Sequence, residues 1–174
     1  MKSLLFVVCS LILFACSSGV QVAQKESFVP RTQPQTIFVV PFKSIMVTGV
    51  VSEGIFYLFI DNLNNLQAGG DLDFVILKQG LDAVDADWLS THDYIIGEVF
   101  AYVEEVGSSM ASIRVKSRIS LFQEGKAEPT LQLNYPVDLF YEKDYSTQEE
   151  ARRKLAEKIS GSMAQRLSEA LTGS

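Results

Sequence analysis

The stretch "YIIGEVFAYVEEVGSSMASIRVKSRISLFQ", residues 94–123, decides the fold. Its first half is rich in β-branched and aromatic residues and predicts a strand, within which Gly97 marks a close approach or a bulge. Gly107-Ser108-Ser109 makes a turn. Beyond it Ile113, Val115, Ile119 and Leu121 fall on one face and Arg114, Lys116 and Ser120 on the other. That alternation belongs to an antiparallel strand with one face on a core and the other in water. Glu124-Gly125-Lys126 turns the chain again. "TLQLNYPVDLFYE", residues 130–142, then completes a meander, in which Pro136 removes a ladder donor and so belongs near an edge.

Upstream of the meander, "TIFVVPF", residues 36–42, reads as a buried strand closed by Pro41. In "GVVSEGIFYLFIDNLNNL", residues 49–66, Val51, Ile55, Phe59, Leu63 and Leu66 recur at helical spacing, and Val50, Phe56, Leu58 and Ile60 widen the apolar face. Such a helix must be largely buried or face a partner. Asn64, Asn65 and Gly69-Gly70 stop it. "DFVILK", residues 73–78, is a second short strand, and "QGLDAVDADWLSTHD", residues 79–93, suits a short helix with a solvated acidic face. After the meander, Ser146-Thr147-Gln148-Glu149 spells a capping box. A long helix follows, with Ala151, Leu155, Ile159, Met163, Leu167 and Leu171 in a stripe at i, i+4 steps. The order predicts an α/β (α+β) sandwich: a mixed sheet of about five strands ending in an antiparallel meander, with two long helices packed on it.

At the N-terminus, Lys2, an apolar run from Leu4 to Phe14 and a small Ala15 before Cys16 have the layout of a secretory signal peptide. The run is too short to span a bilayer, which takes about 20 apolar residues. Residues 1–15 are therefore expected to be removed, with Cys9 among them. Residues 16–35, rich in Ser, Gln and Pro, read as a flexible tether of roughly 66 Å at full extension. Residues 36–174 read as a single domain, long enough to bury a core without a disulfide. Cys16 would be the mature chain's one cysteine, so no intramolecular disulfide is available to it.

The formal net charge of −6, with no basic patch interleaved with aromatics, speaks against a nucleic-acid partner. Catalytic chemistry is equally poorly provided for. The chain has one histidine, His92, which rules out a metal site of several histidines, and no G-x-S-x-G elbow offers it a serine. His92 and Asp93 read as a polar turn before a strand. Glu104 and Glu105, adjacent in a strand, point to opposite faces and cannot act as a facing pair. Asp82, Asp85 and Asp87 lack the alternation and sixth-position glycine of a calcium loop and read as a solvated face. Gly69-Gly70 stands without the rest of a phosphate loop. No catalytic, metal or cofactor-binding residue is expected.

Leu13-Phe14-Ala15-Cys16 resembles the lipobox of bacterial lipoproteins, with Phe14 bulkier than the residue usual there. The resemblance implies acylation of Cys16, palmitate included, and attachment to a membrane through an N-terminal lipid. Ser17 in place of an aspartate implies sorting to the outer membrane, facing the periplasm. In the domain, "IFVVPF" followed by a helix, then "DFVILKQG", then "THDYIIGEVFAYVEE" resembles the periplasmic module shared by the TolB N-terminal domain, CsgG and LpoB. Asp93-Tyr94-Ile95-Ile96-Gly97-Glu98-Val99 fits its third element, with His92 where a small residue is usual. That resemblance implies a sandwich used for binding, without cofactor or reaction: an accessory factor in an envelope assembly or transport complex, with an envelope protein as partner. The alternative it offers is a self-assembling CsgG-like secretion pore or ring subunit. A pore needs transmembrane hairpins with strands of about 9–11 residues, and the one candidate hairpin, residues 110–141, is already needed to complete the sheet.

Overall fold

The computed structural model describes residues 19–31, 33–66 and 70–173. Residues 1–15, expected as a signal segment, and Cys16 lie outside the described residues. In chain order the elements are β1 (Gln21–Gln24), β2 (Gln35–Val39), β3 (Lys43–Ser44), α1 (Gly49–Leu66), β4 (Leu72–Ile76), α2 (Ala86–Ser90), β5 (Tyr94–Val106), β6 (Met110–Phe122), β7 (Leu131–Glu142) and α3 (Gln148–Thr172). Seven strands form one mixed sheet in the order β1-β7-β6-β5-β2-β4, with β3 added against β5. β2 runs parallel to β4 and β5, whereas β5, β6, β7 and β1 are antiparallel in succession. The fold class and the meander are those the sequence predicts.

Both long helices lie on one face of this sheet, α3 against β6, β7 and α1. The reason is the stripe: Ala151, Leu155, Ile159, Met163, Leu167 and Leu171 are all buried, and they meet the inward positions of the meander, among them Ile113, Val115, Ile119, Leu121 and Leu133. Each large side chain so buried contributes about 1.5–3 kcal/mol. Gly97 is a close approach rather than a bulge, because a Cβ there would enter the ring of Phe42. That ring packs on Phe56 and Phe59 of α1, at centroid distances of 5.4 Å to each. The α3 capping box sits one residue later than the sequence spelling. Thr147 is the N-cap, its hydroxyl accepting from Glu150 N at 3.2 Å while Glu150 accepts from Thr147 N at 2.9 Å. Ser146 and Glu149 have the same spacing, so the motif alone leaves two frames open.

The tether expected over residues 16–35 is docked wherever it is described. Gln21–Gln24 pairs with Leu131–Asn134 as β1, and Phe28 enters the core. The backbone of Val29 is bracketed by Gln123, which accepts from its N–H at 3.0 Å and donates to its carbonyl at 2.7 Å. Polar composition misleads here because β1 is held by main-chain hydrogen bonds, and its four side chains are all exposed. With two-residue β3 it accounts for the strands beyond the five expected.

The arm closes on Asp93, which is fully buried at the start of β5. Its carboxylate accepts from Arg31 Nε at 2.8 Å and Nη2 at 2.5 Å, and from Glu124 N at 2.8 Å. Its carbonyl accepts from Phe38 N at 3.0 Å, while Arg31 N donates to Leu171 O at 2.7 Å. Removing one member of a buried pair strands the other's charge at a cost of about 3–5 kcal/mol, against about 0–1 for an exposed pair. Arg31→Ala is therefore expected to lower the stability read by urea unfolding several-fold more than Arg114→Ala, whose ion pairs are exposed. Equal losses would refute the keystone role of Asp93.

Candidate functional site

With the helices on one side, the opposite side of the meander carries the alternate residues of its three strands. Register puts Glu98, Arg118 and Asn134 in one row, Phe100, Lys116 and Pro136 in the next, then Val103, Arg114 and Asp138, then Glu105, Ser112 and Phe140. These rows largely neutralise themselves. Arg118 donates through Nε to Asn134 Oδ1 at 2.8 Å, lies 3.8 Å from Glu98 and stacks 5.4 Å from the Phe100 ring centroid. Arg114 stands between Glu105 at 3.5 Å and Asp138 at 3.9 Å. At the far end α2 caps the face. Trp88 packs on Phe38 at 4.7 Å and stacks on His92 at 4.1 Å.

The centre of this face is shaped by a bulge between Phe100 and Val103, where the β5 register shifts against β6. Ala101 there has φ +54°, and Met46 in the loop after β3 has φ +58°. The left-handed region costs a non-glycine residue about 1–2 kcal/mol. Both residues line one depression of about 670 Å³ together with Ile45, Phe100, Val103 and Arg118. Met46 is 93% exposed. The arrangement offers apolar contact beside a guanidinium.

The same bulge passes Glu104 to the helix side, opposite Ile113. There Arg152 of α3 grips its carboxylate twice, Nε to Oε1 at 2.7 Å and Nη2 to Oε2 at 2.8 Å, with the Tyr102 hydroxyl and Gln148 amide also donating to it. The guanidinium holds the Glu104 carboxyl below its ordinary value, and in return Arg152 is raised. Burial, and the carboxylate it donates to, push the Tyr102 phenol up to about 12. This is an ionic clamp between β5 and α3, with no free base in it.

The other residues considered for chemistry are scattered. His92 donates from Nδ1 to Trp88 O at 2.8 Å within its stack. Asp85 caps α2 by accepting from Asp87 N at 2.7 Å, while Asp82 lies in a single 3₁₀ turn, Leu81–Ala83. Glu105 turns outward to Arg114, away from Glu104. Among the described residues no group of three or more His, Cys, Asp or Glu could hold a metal ion, and no helix is long and apolar enough to cross a membrane. Gly69 and Cys16 lie outside the described residues. Sequence reasoning missed the bulge, the Glu104–Arg152 clamp and the Arg31–Asp93 pair. Nothing in the strand's composition marks Ala101, and the two ion pairs span 48 and 62 residues.

No protein-family model and no curated protein matches the chain. Among solved structures it is similar to the PelC dodecamer from Paraburkholderia phytofirmans, at 14% identity over 82% of this chain and 94% of that one, with a TM-score of 0.55. It is also similar to the hypothetical protein CT253 from Chlamydia trachomatis, at 7% identity over 80% and 99%, with a TM-score of 0.50. Bacterial lipoproteins occur among further neighbours, such as GNA1162 from Neisseria meningitidis, at 12% identity over 78% and 99%, with a TM-score of 0.47. At such identities the likeness is one of fold.

The clamp sets a pH signature. Glu104 titrates lower when folded, so its contribution is present above its ordinary value of 4.5 and is lost as pH falls through the folded pKa. Tyr102 titrates higher, so its contribution is complete below 10.0 and is lost as pH rises toward about 12. In urea titrations across pH, Glu104→Gln is expected to flatten the acid limb and Tyr102→Phe the alkaline one. Parallel, merely offset curves would disprove the clamp.

Proposed function

We propose that the chain is an outer-membrane lipoprotein, anchored at Cys16, whose periplasmic domain is a non-catalytic binding factor in an envelope assembly or transport complex. The observation that carries the binding role is the helix-free face of the meander, with its depression at the Phe100–Val103 bulge between Arg118 and Met46. Apolar residues exposed beside fixed charges are what a protein contact uses for affinity and register respectively. The resemblance of "IFVVPF" and "DYIIGEV" to the TolB, CsgG and LpoB module supports the same role. Docking of the arm from Gln21 onward speaks against a long reach across the periplasm, since residues 16–20 extend at most about 17 Å.

Labelled palmitate should enter the full chain, and Cys16→Ala should abolish its entry. Label retained in that variant removes the anchor. Capture from intact envelopes should recover an envelope protein with the wild-type chain and much less of it with Met46→Asp; equal recovery would move the binding role off this face.

A second reading, a ring subunit, draws on the likeness in fold to a protein crystallised as a dodecamer. Native mass spectrometry after mild detergent extraction separates the two. A large homo-oligomer favours the ring, and a monomer or mixed complex favours the accessory factor.

A further inference from the structure

The direction of β1 says where an anchored chain would meet its membrane. β1 is antiparallel to β7 with Gln21 opposite Asn134, so the chain upstream of Gln21 leads toward the end of β7 that closes at Glu142. Val20 packs on the core and holds that heading. From Gln21, Cys16 lies within about 17 Å, whereas the sheet runs on from Asn134 to Glu142 for about 27 Å. The far end of the meander therefore projects at least about 10 Å beyond the level of the anchored residue, the least overhang belonging to a fully extended arm.

That end is apolar where it projects. Val106 is 63% exposed, Met110 46%, Phe140 61% and Tyr145 85%. Register places Met110 beside Glu142 and Ala111, the partner of Val106, beside Tyr141. The tip is also fixed. Gly107 N donates to Met110 O at 2.9 Å, Lys143 N to Ser109 O at 2.9 Å and Lys143 Nζ to Gly107 O at 3.1 Å. Around it stand Glu105, Glu142 and Asp144 against Lys143 and Arg114, so charge offers no attraction to anionic lipid.

We infer that the β5–β6 hairpin end of the sheet rests on a zwitterionic phospholipid surface, delivered there by the short arm from Cys16. This rests on the proposed anchor. An interfacial element enters the headgroup boundary by about 5–10 Å, a depth that the hairpin end reaches with the arm near full extension.

The test uses Trp88→Phe as background and a single tryptophan introduced by V106W or, separately, M110W, with V75W on the far edge strand as control. The full chain is purified from membranes and reconstituted in phosphatidylcholine–phosphatidylethanolamine vesicles containing brominated lipid. A parallel preparation starting at Cys16 carries a maleimide-coupled lipid on that residue, so that the anchor is supplied whatever the cell does. Both hairpin reporters are expected to be quenched about threefold or more over V75W, as interfacial depth requires. Equal quenching at all positions, or none at the hairpin in the maleimide-coupled chain, overturns the docking. Quenching in that chain with no acyl mass on the cell-derived one keeps the docking and removes the native anchor. Circular dichroism confirms that each variant is folded.

Discussion

The Asp93 carboxylate joins parts of the chain that lie far apart in sequence. It sits at the start of β5 and binds Arg31 from the N-terminal arm and the amide of Glu124 from the β6–β7 turn. Its carbonyl holds β2 through Phe38 N, while Arg31 N reaches the end of α3 at Leu171 O. A buried carboxylate must find such partners or become costly. Once it has them, the parallel and antiparallel halves of the sheet, the arm and the last helix share one corner. The order of the sheet follows: β2 enters beside β5, and β1 is left to add itself beyond β7.

That corner also decides which faces remain free. Two long helices bring enough apolar surface to cover one side of the sheet, and their stripes are used up against each other and against the inward residues of β6 and β7. Among the described residues, the other side receives no helix but five-residue α2 at one end. It stays compatible with water because its charges pair across strands: Arg118 with Glu98, and Arg114 with Glu105 and Asp138. Exposed pairs of this kind add little to stability. Their consequence is a face that neither attracts ions strongly nor collapses, leaving apolar Phe140, Val103 and Met46 for contact.

How much of this was legible depended on whether the cause was local. α1 spans Gly49–Leu66, the stretch its apolar spacing picked out, because a 3.6-residue period is written into neighbouring positions. The β6 alternation fixed the inward set Ile113, Val115, Ile119 and Leu121 for the same reason. β1 was invisible, since "QVAQ" has no buried side chain and is held through its backbone. The candidate site was hardly legible. Arg31 and Asp93 carry no signal of each other, and the bulge at Ala101 comes from the meander's three-dimensional register.

The docked arm changes what an N-terminal lipid would do. On a free tether of about 20 residues, the domain would sample a volume many times its own size, and any weak surface contact would be diluted in it. With the arm committed to β7 and the Asp93 corner, only residues 16–20 would separate a lipid on Cys16 from the sheet. Effective concentration rises steeply as a linker shortens. A hairpin tip with a few apolar side chains, too weak to hold a membrane alone, would then suffice to set the orientation of a domain so anchored. The open face of the meander would stand upright from the lipid in that orientation. Its depression beside Met46 and Arg118 would be presented sideways, within reach of proteins held on the same surface.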